Sequence, residues 1–245
     1  MDVLYKSNLR VRLTIVGCGG SGSQLLPHVM QLASNNQHKI EKIILIDGDD
    51  FEKKNIANQK CLDEEAGMNK ADALAERFSY VYPELNGMIT SYPHYIKDMN
   101  TLLKLSYGGE YLVNILISCV DNNATRKLFN DAFELCNKEK KNMIYIDSGN
   151  GDINRVGQVI VGYTYGGDIK LRPVAAYFPD ILEDKDDINK LNSCTRISSE
   201  YSQNIATNIF AATILFCVVT NIISFGKIDK GIVYFDANNV TAVSR

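Results

Sequence analysis

Five short apolar runs, 12–16, 42–47, 88–92, 112–119 and 143–147, are separated by stretches in which apolar residues recur at three- and four-residue steps. Interleaved strand and helix periods of this kind dictate parallel βαβ construction, because parallel neighbours need a long crossover and a helix supplies it. The helical stretches fall at 24–33, 70–80, 99–105 and 124–136. Right-handed crossovers then gather the strand ends at Val16, Asp47 and Cys119 around one crevice of a doubly wound, Rossmann-like α/β sheet, where ligands of such sheets bind. Beyond Asp147 the pattern changes. Residues 157–165 alternate and are rich in β-branched and aromatic types, which predicts antiparallel strands extending the parallel part, with a last strand at 232–235 and a polar tail.

The 245 residues are read as a single domain, 1–245, with an acidic, exposed crossover loop at about 179–200. The stretch 205–224 is nearly uncharged and long enough to cross a bilayer, but Thr207, Asn208, Thr220 and Asn221 interrupt it; a buried central helix is the expectation, with no membrane partner. A net charge of -3 leaves no electrostatic footprint for nucleic acid. Six scattered cysteines and a charged, polar start predict a cytoplasmic protein. No Cys-x-x-Cys pair exists and the three histidines lack ligand spacing, so no zinc is expected.

The first apolar run leads into Gly17-Cys18-Gly19-Gly20-Ser21-Gly22, immediately before a helix. Glycines there permit a tight turn and close approach of backbone N–H groups to phosphate, which the helix dipole favours. Such a loop serves NAD, FAD or ATP alike. The second run ends at Asp47-Gly48-Asp49, where a carboxylate is placed to accept from ribose hydroxyls or simply to form a turn. Asn55, Gln59 and Lys70 follow; the lysine suits neutralisation of β/γ-phosphate charge, although a lone lysine is ordinarily solvent-facing. The fourth run ends at Cys119-Val120-Asp121-Asn122, so Asp121 stands where it serves either as a magnesium ligand or as a helix N-cap.

Gly17 to Gly22, Asp47-x-Asp49, Asn55, Gln59, Lys70, and Cys119-Val120-Asp121-Asn122 followed by Arg126 together resemble the ThiF/MoeB/ubiquitin-activating superfamily. The stretches Val16 to Gln24, Asp147-Ser148-Gly149-Asn150 leading to Gly157-Gln158-Val159, and Asn192-Ser193-Cys194 followed by Gln203 and a long apolar helix resemble the short ThiF-like proteins of plasmid-borne PRTRC systems. The resemblance implies an adenylyltransferase that uses ATP and magnesium on the C-terminal glycine of a small β-grasp, ubiquitin-like or sulfur-carrier protein, and that pairs as a homodimer around its last helix. It implies nucleotide contacts from Gly17, Gly19, Gly20, Gly22, Asp47, Asp49, Asn55, Gln59 and Lys70, a catalytic role for Lys70 as well, a catalytic and metal-holding Asp121, and a thioester nucleophile at Cys194. Two departures stand out. Asn58 occupies the place of a family arginine, and the glycine loop lies too near the start for the usual arginine-bearing arm, so adenylation is expected to be slow, partner-assisted or absent. Arg10, Arg12, Lys53, Lys54 and Lys60 are the cations nearest in sequence to replace them. Two competing readings remain at this level: a NAD-dependent oxidoreductase, which leaves Asp121 and Lys70 without roles, and a nucleotide-binding module without turnover.

Overall fold

The apolar runs become the parallel half of one sheet. The computed structural model of the chain describes residues 9–150, 155–183 and 205–245. Its parallel strands are β1 (Arg10–Val16), β2 (Ile40–Ile46), β3 (Ile89–Tyr92), β4 (Leu112–Ser118) and β5 (Met143–Asn150). β6 (Val156–Tyr165) turns back antiparallel along β5, with Asp147 opposite Ile160, and β8 (Ile232–Asp236) pairs antiparallel with β6. The sheet order is β3-β2-β1-β4-β5-β6-β8-β9, with β7 (Asp168–Leu171) beside β6 and β9 (Thr241–Ser244) at the edge. The tail expected to be only polar therefore ends in a strand. Both β7 and β9 are short, largely exposed edge strands; neither buries an alternating face, so neither leaves a pattern to read.

Strand alternation sorts the core into two layers. Val11, Leu13 and Ile15 of β1, Ile115 and Ile117 of β4, and Ile144 and Ile146 of β5 face one layer, built by α1 (Gly20–Asn35), α2 (Lys70–Val81) and α6 (Ile205–Phe225). Ile44 and Ile46, Leu116, and Met143 and Tyr145 face the other, built by α3 (Met99–Ser106) and α4 (Asn123–Lys138). Pro179 does not open a wholly exposed loop as expected: Asp180–Glu183 forms a short helix, α5, because Ile181 buries its side chain in this second layer. The remainder of the expected loop, residues 184–200, lies outside the described residues.

α6 is the one described helix long and apolar enough to cross a membrane, with 44 % of its most apolar window buried. Asn208, Ala211, Ala212, Leu215, Val219, Ile222 and Ile223 recur at three- and four-residue steps and form the face packed against α1, β5, β6 and β8. Lys39 donates to the carbonyls of Ile223 (3.0 Å) and Ser224 (3.5 Å), satisfying acceptors at the helix end and fixing it over the sheet. Leu215 is fully buried within this packing. Leu215→Ala is therefore expected to lower the unfolding free energy by about 2–5 kcal/mol, measured by urea denaturation; a loss below about 1 kcal/mol would show that α6 is not a core helix.

Candidate active site

The sheet reverses its strand order between β1 and β4, and the glycine loop lies at that point. Gly17 has φ of 91° and donates its N–H to Ile46 O at 2.9 Å. A Cβ on Gly17 would stand 2.5 Å from Cys119 O, and one on Gly22 would stand 1.9 Å from Gly17 O. Three backbones thus meet with no room for a side chain. At Gly19 the demand differs: an added Cβ would meet only the Gln59 amide, at 3.6 Å. Gly20 opens α1, and Gly19, at its N-cap, supplies no side-chain cap. The first N–H groups of α1 are left for an anion to satisfy.

Asp47 stitches β2 to this loop. Its Oδ2 accepts from Cys18 N at 2.6 Å and its Oδ1 from Asp49 N at 2.9 Å. Burial pushes its pKa up, against the opposing pull of the Lys70 charge and these two N–H bonds. A carboxylate has about four acceptor sites, so two remain for further donors. Turn formation and ligand contact are compatible here.

Lys70 is not the solvent-facing lysine that its lone appearance suggests; it is 8 % exposed. Its ammonium lies 3.4 Å from Asp49 Oδ2, while Asp49 Oδ1 accepts from the Tyr95 hydroxyl. Asp49 therefore holds the lysine rather than facing the crevice on its own. Asn69, which the sequence reading passed over, organises this corner: its Oδ1 caps α2 through Ala71 N and Asp72 N, and its Nδ2 donates to Asp47 O and Asp49 O. An asparagine directly before an apolar helical period was the available signal. Beside this turn, Gly48, Tyr92, His94 and Tyr95 line an open cleft of about 400 Å³.

The far lip carries Asp121, which is exposed. The N-cap role that competed for it belongs to its neighbour, since Asn122 Oδ1 accepts from Thr125 N at 2.8 Å. Arg126 fixes the turn: it donates to Val120 O at 2.7 Å, to Ser148 O at 3.2 Å and to the buried Asp147 carboxylate at 3.2 Å. Burial pulls the Arg126 pKa down, but the Asp147 charge overrides it and raises the net value. Ser118 Oγ also donates to Asp147, at 2.7 Å. Burial leaves the nearby thiols inert, pushing Cys18 well up and Cys119 to about 12.

The structure brings Gly17, Gly19, Gly20, Gly22, Asp47, Gln59 and Lys70 to one crevice. Asn55 is turned to local use, its Oδ1 accepting from Glu52 N at 2.8 Å. Cys194 lies outside the described residues. Of the cations expected to stand in for the missing arginines, Arg10 and Arg12 cannot serve. They sit in the first half of β1, about 23 Å and about 17 Å along the strand from Gly17 at 3.3 Å per residue, where Arg10 binds Ile40 O and Arg12 pairs with Glu41. Lys54 pairs with Glu52, whereas Lys60 keeps its backbone N–H on Ser23 Oγ in α1, at 3.0 Å. Among the described residues no group of three or more His, Cys, Asp or Glu side chains converges to hold a metal.

A sequence model of the ThiF family matches residues 4–198. Ubiquitin-like modifier-activating enzyme 5 of Drosophila grimshawi is 30 % identical over 154 residues, covering 60 % of this chain and 36 % of that one. The enzyme of the same name from Culex quinquefasciatus is 28 % identical over 150 residues, covering 59 % and 35 %. The chain thus spans about a third of the length of these relatives. Among solved structures, MccB of E. coli crystallised with ATP superposes with a TM-score of 0.64 at 18 % identity, covering 97 % of this chain and 64 % of MccB. PaaA gives 0.63 at 18 %, covering 96 % and 63 %. At such identity the superpositions show the shared fold.

The two kinds of loop glycine separate experimentally. Gly22→Ala is expected to cost about 2–4 kcal/mol of unfolding free energy, because a backbone oxygen must move, and Gly19→Ala less than about 1 kcal/mol. Paired urea titrations measure both, and equal costs would contradict the packing described.

Proposed function

From the chain's membership of the ThiF family, to which it belongs, we propose that it is an ATP-dependent adenylating enzyme acting on the C-terminal carboxylate of a small protein or peptide. One observation carries the reading: the uncapped glycine loop, the Asp47 carboxylate and the buried Lys70 ammonium share a crevice at the sheet's reversal point. Asp47 accepts from the ribose and the adenine enters the adjoining cleft over Gly48. The phosphates lie on the N–H groups of α1, with Lys70 offsetting their charge. The substrate carboxylate attacks the α-phosphorus, the bond from that phosphorus to the β-bridging oxygen breaks, and pyrophosphate leaves. Magnesium suits a site with a single exposed carboxylate, since it is commonly held by one carboxylate plus phosphate oxygens; Asp121 would hold it, and it would supply charge stabilisation during attack.

The finer reading takes a β-grasp, ubiquitin-like or sulfur-carrier protein as the substrate, and Cys194 as a second station. There the thiolate attacks the acyl carbonyl, AMP departs and a thioester forms. Kinship with the short PRTRC-system proteins rests on the stretches around Asp147 and Cys194. Lys60, tethered by its backbone to the first turn of α1, is the cation proposed to take over from the arginine replaced by Asn58. A hydride-transfer enzyme has no use for Lys70 and Asp121.

Pyrophosphate exchange tests the proposal. Protein with magnesium, ATP and a β-grasp protein encoded beside it is expected to exchange labelled pyrophosphate into ATP, and Asp121→Ala to slow exchange at least about 100-fold. No exchange, or exchange indifferent to Asp121→Ala, would sink it. The exposed face of α6, with Ile205, Ile209 and Phe225 at 45 %, 45 % and 62 % exposure, is the proposed homodimer surface. Light scattering at micromolar concentration is expected to give twice the chain mass, and a monomer would count against pairing.

A further inference from the structure

Where the first turn of α1, the carboxyl end of β5 and the first turns of α6 meet, a polar cluster is buried. Asn208 is 1 % exposed. Its Oδ1 accepts twice, from Ser21 Oγ at 3.3 Å and from Asn150 Nδ2 at 3.0 Å. In this arrangement Nδ2 is the free end of the amide; that nitrogen is buried and has no hydrogen-bond partner among the described residues. Ser148, 3 % exposed, has an Oγ in the same condition. Ser148 and Asn150 share the face of β5 that also carries Ile144 and Ile146, the face covered by α1 and α6.

Burying a donor without an acceptor is unfavourable, so an unpartnered amide N–H is a place for a ligand acceptor to bind. Here the amide adjoins α1, whose terminus has no side-chain cap: its Oδ1 accepts from Ser21 in the first turn, and Nδ2 is the end left to meet a further group. The missing partner must therefore be an acceptor that enters where α1 favours negative charge. We infer that Asn208, supported by Ser148, forms a neutral oxyanion site that donates to the triphosphate of the bound nucleotide. The inference rests on the nucleotide-binding reading of the same crevice. It adds a donor from α6 to the phosphate cradle, so the long helix contributes to the site as well as to the core. A neutral donor costs less to bury than an arginine, which fits a chain whose phosphate-facing cations are sparse.

Calorimetric titration of the full chain with ATP plus magnesium, and separately with adenosine, tests this. Asn208→Asp keeps the shape but replaces the N–H donor by a carboxylate; it is expected to weaken ATP at least about tenfold and leave adenosine unchanged. Ser148→Ala is expected to weaken ATP by about threefold to tenfold. Wild-type ATP affinity in Asn208→Asp, or equal losses for ATP and adenosine, would overturn the site. If Asn208→Asp shows no cooperative melt, Ser148→Ala decides, and unchanged ATP affinity there overturns it. A wild-type protein that binds no ATP refutes the nucleotide reading itself, a result distinct from a wild type that binds ATP and a variant that binds equally well.

Discussion

The backbone contact among Gly17, Gly22 and Cys119 is the constraint on which the site depends. With the Cβ of either glycine in place, the exit of β1, the start of α1 and the exit of β4 could not come together. Their closeness exposes the uncapped end of α1 at the reversal point of the sheet, and it brings the two lips of the crevice within reach of one ligand. Everything that carries charge in the crevice is arranged around that junction.

The charges are held by partners rather than left free. Asp47 is spanned by two backbone N–H groups, Lys70 by Asp49, and Asp49 in turn by Tyr95. On the other lip Arg126 binds a buried carboxylate and two carbonyls, which fixes the turn carrying Asp121. Removing one member of a buried pair leaves an uncompensated charge, commonly about 3–5 kcal/mol. These networks therefore fix position: Arg126 is committed to the turn that carries Asp121, and Lys70 to Asp49.

The fold was legible where each element carries a strong period. The five parallel strands and α1 to α4 are recoverable from apolar spacing, because each buries one or both faces against a neighbour. β7 and β9 were not, since exposed edge strands bury too little to impose a pattern. α6 gave its length and apolarity but not its orientation, because apolar residues occupy its exposed face as well. In the site, residues in a recognisable run, such as Gly17 to Gly22 and Asp47, could be named in advance. Asn69 offered one local signal, its place directly before a helical period, whereas the roles of Tyr95, Asn150 and Asn208 could not be named, because a single polar residue announces no partner until long-range packing supplies it.

By itself the sequence determined the doubly wound architecture, the glycine loop and the carboxylates at the strand ends, because period and turn chemistry are local properties of the chain. Only the tertiary structure decided that Lys70 is buried against Asp49, that Arg10 and Arg12 are engaged away from the glycine loop, and that Asn208 reaches α1 from 187 residues away. These depend on which segments the crossovers bring together, and no window of sequence contains both partners of a contact across the sheet.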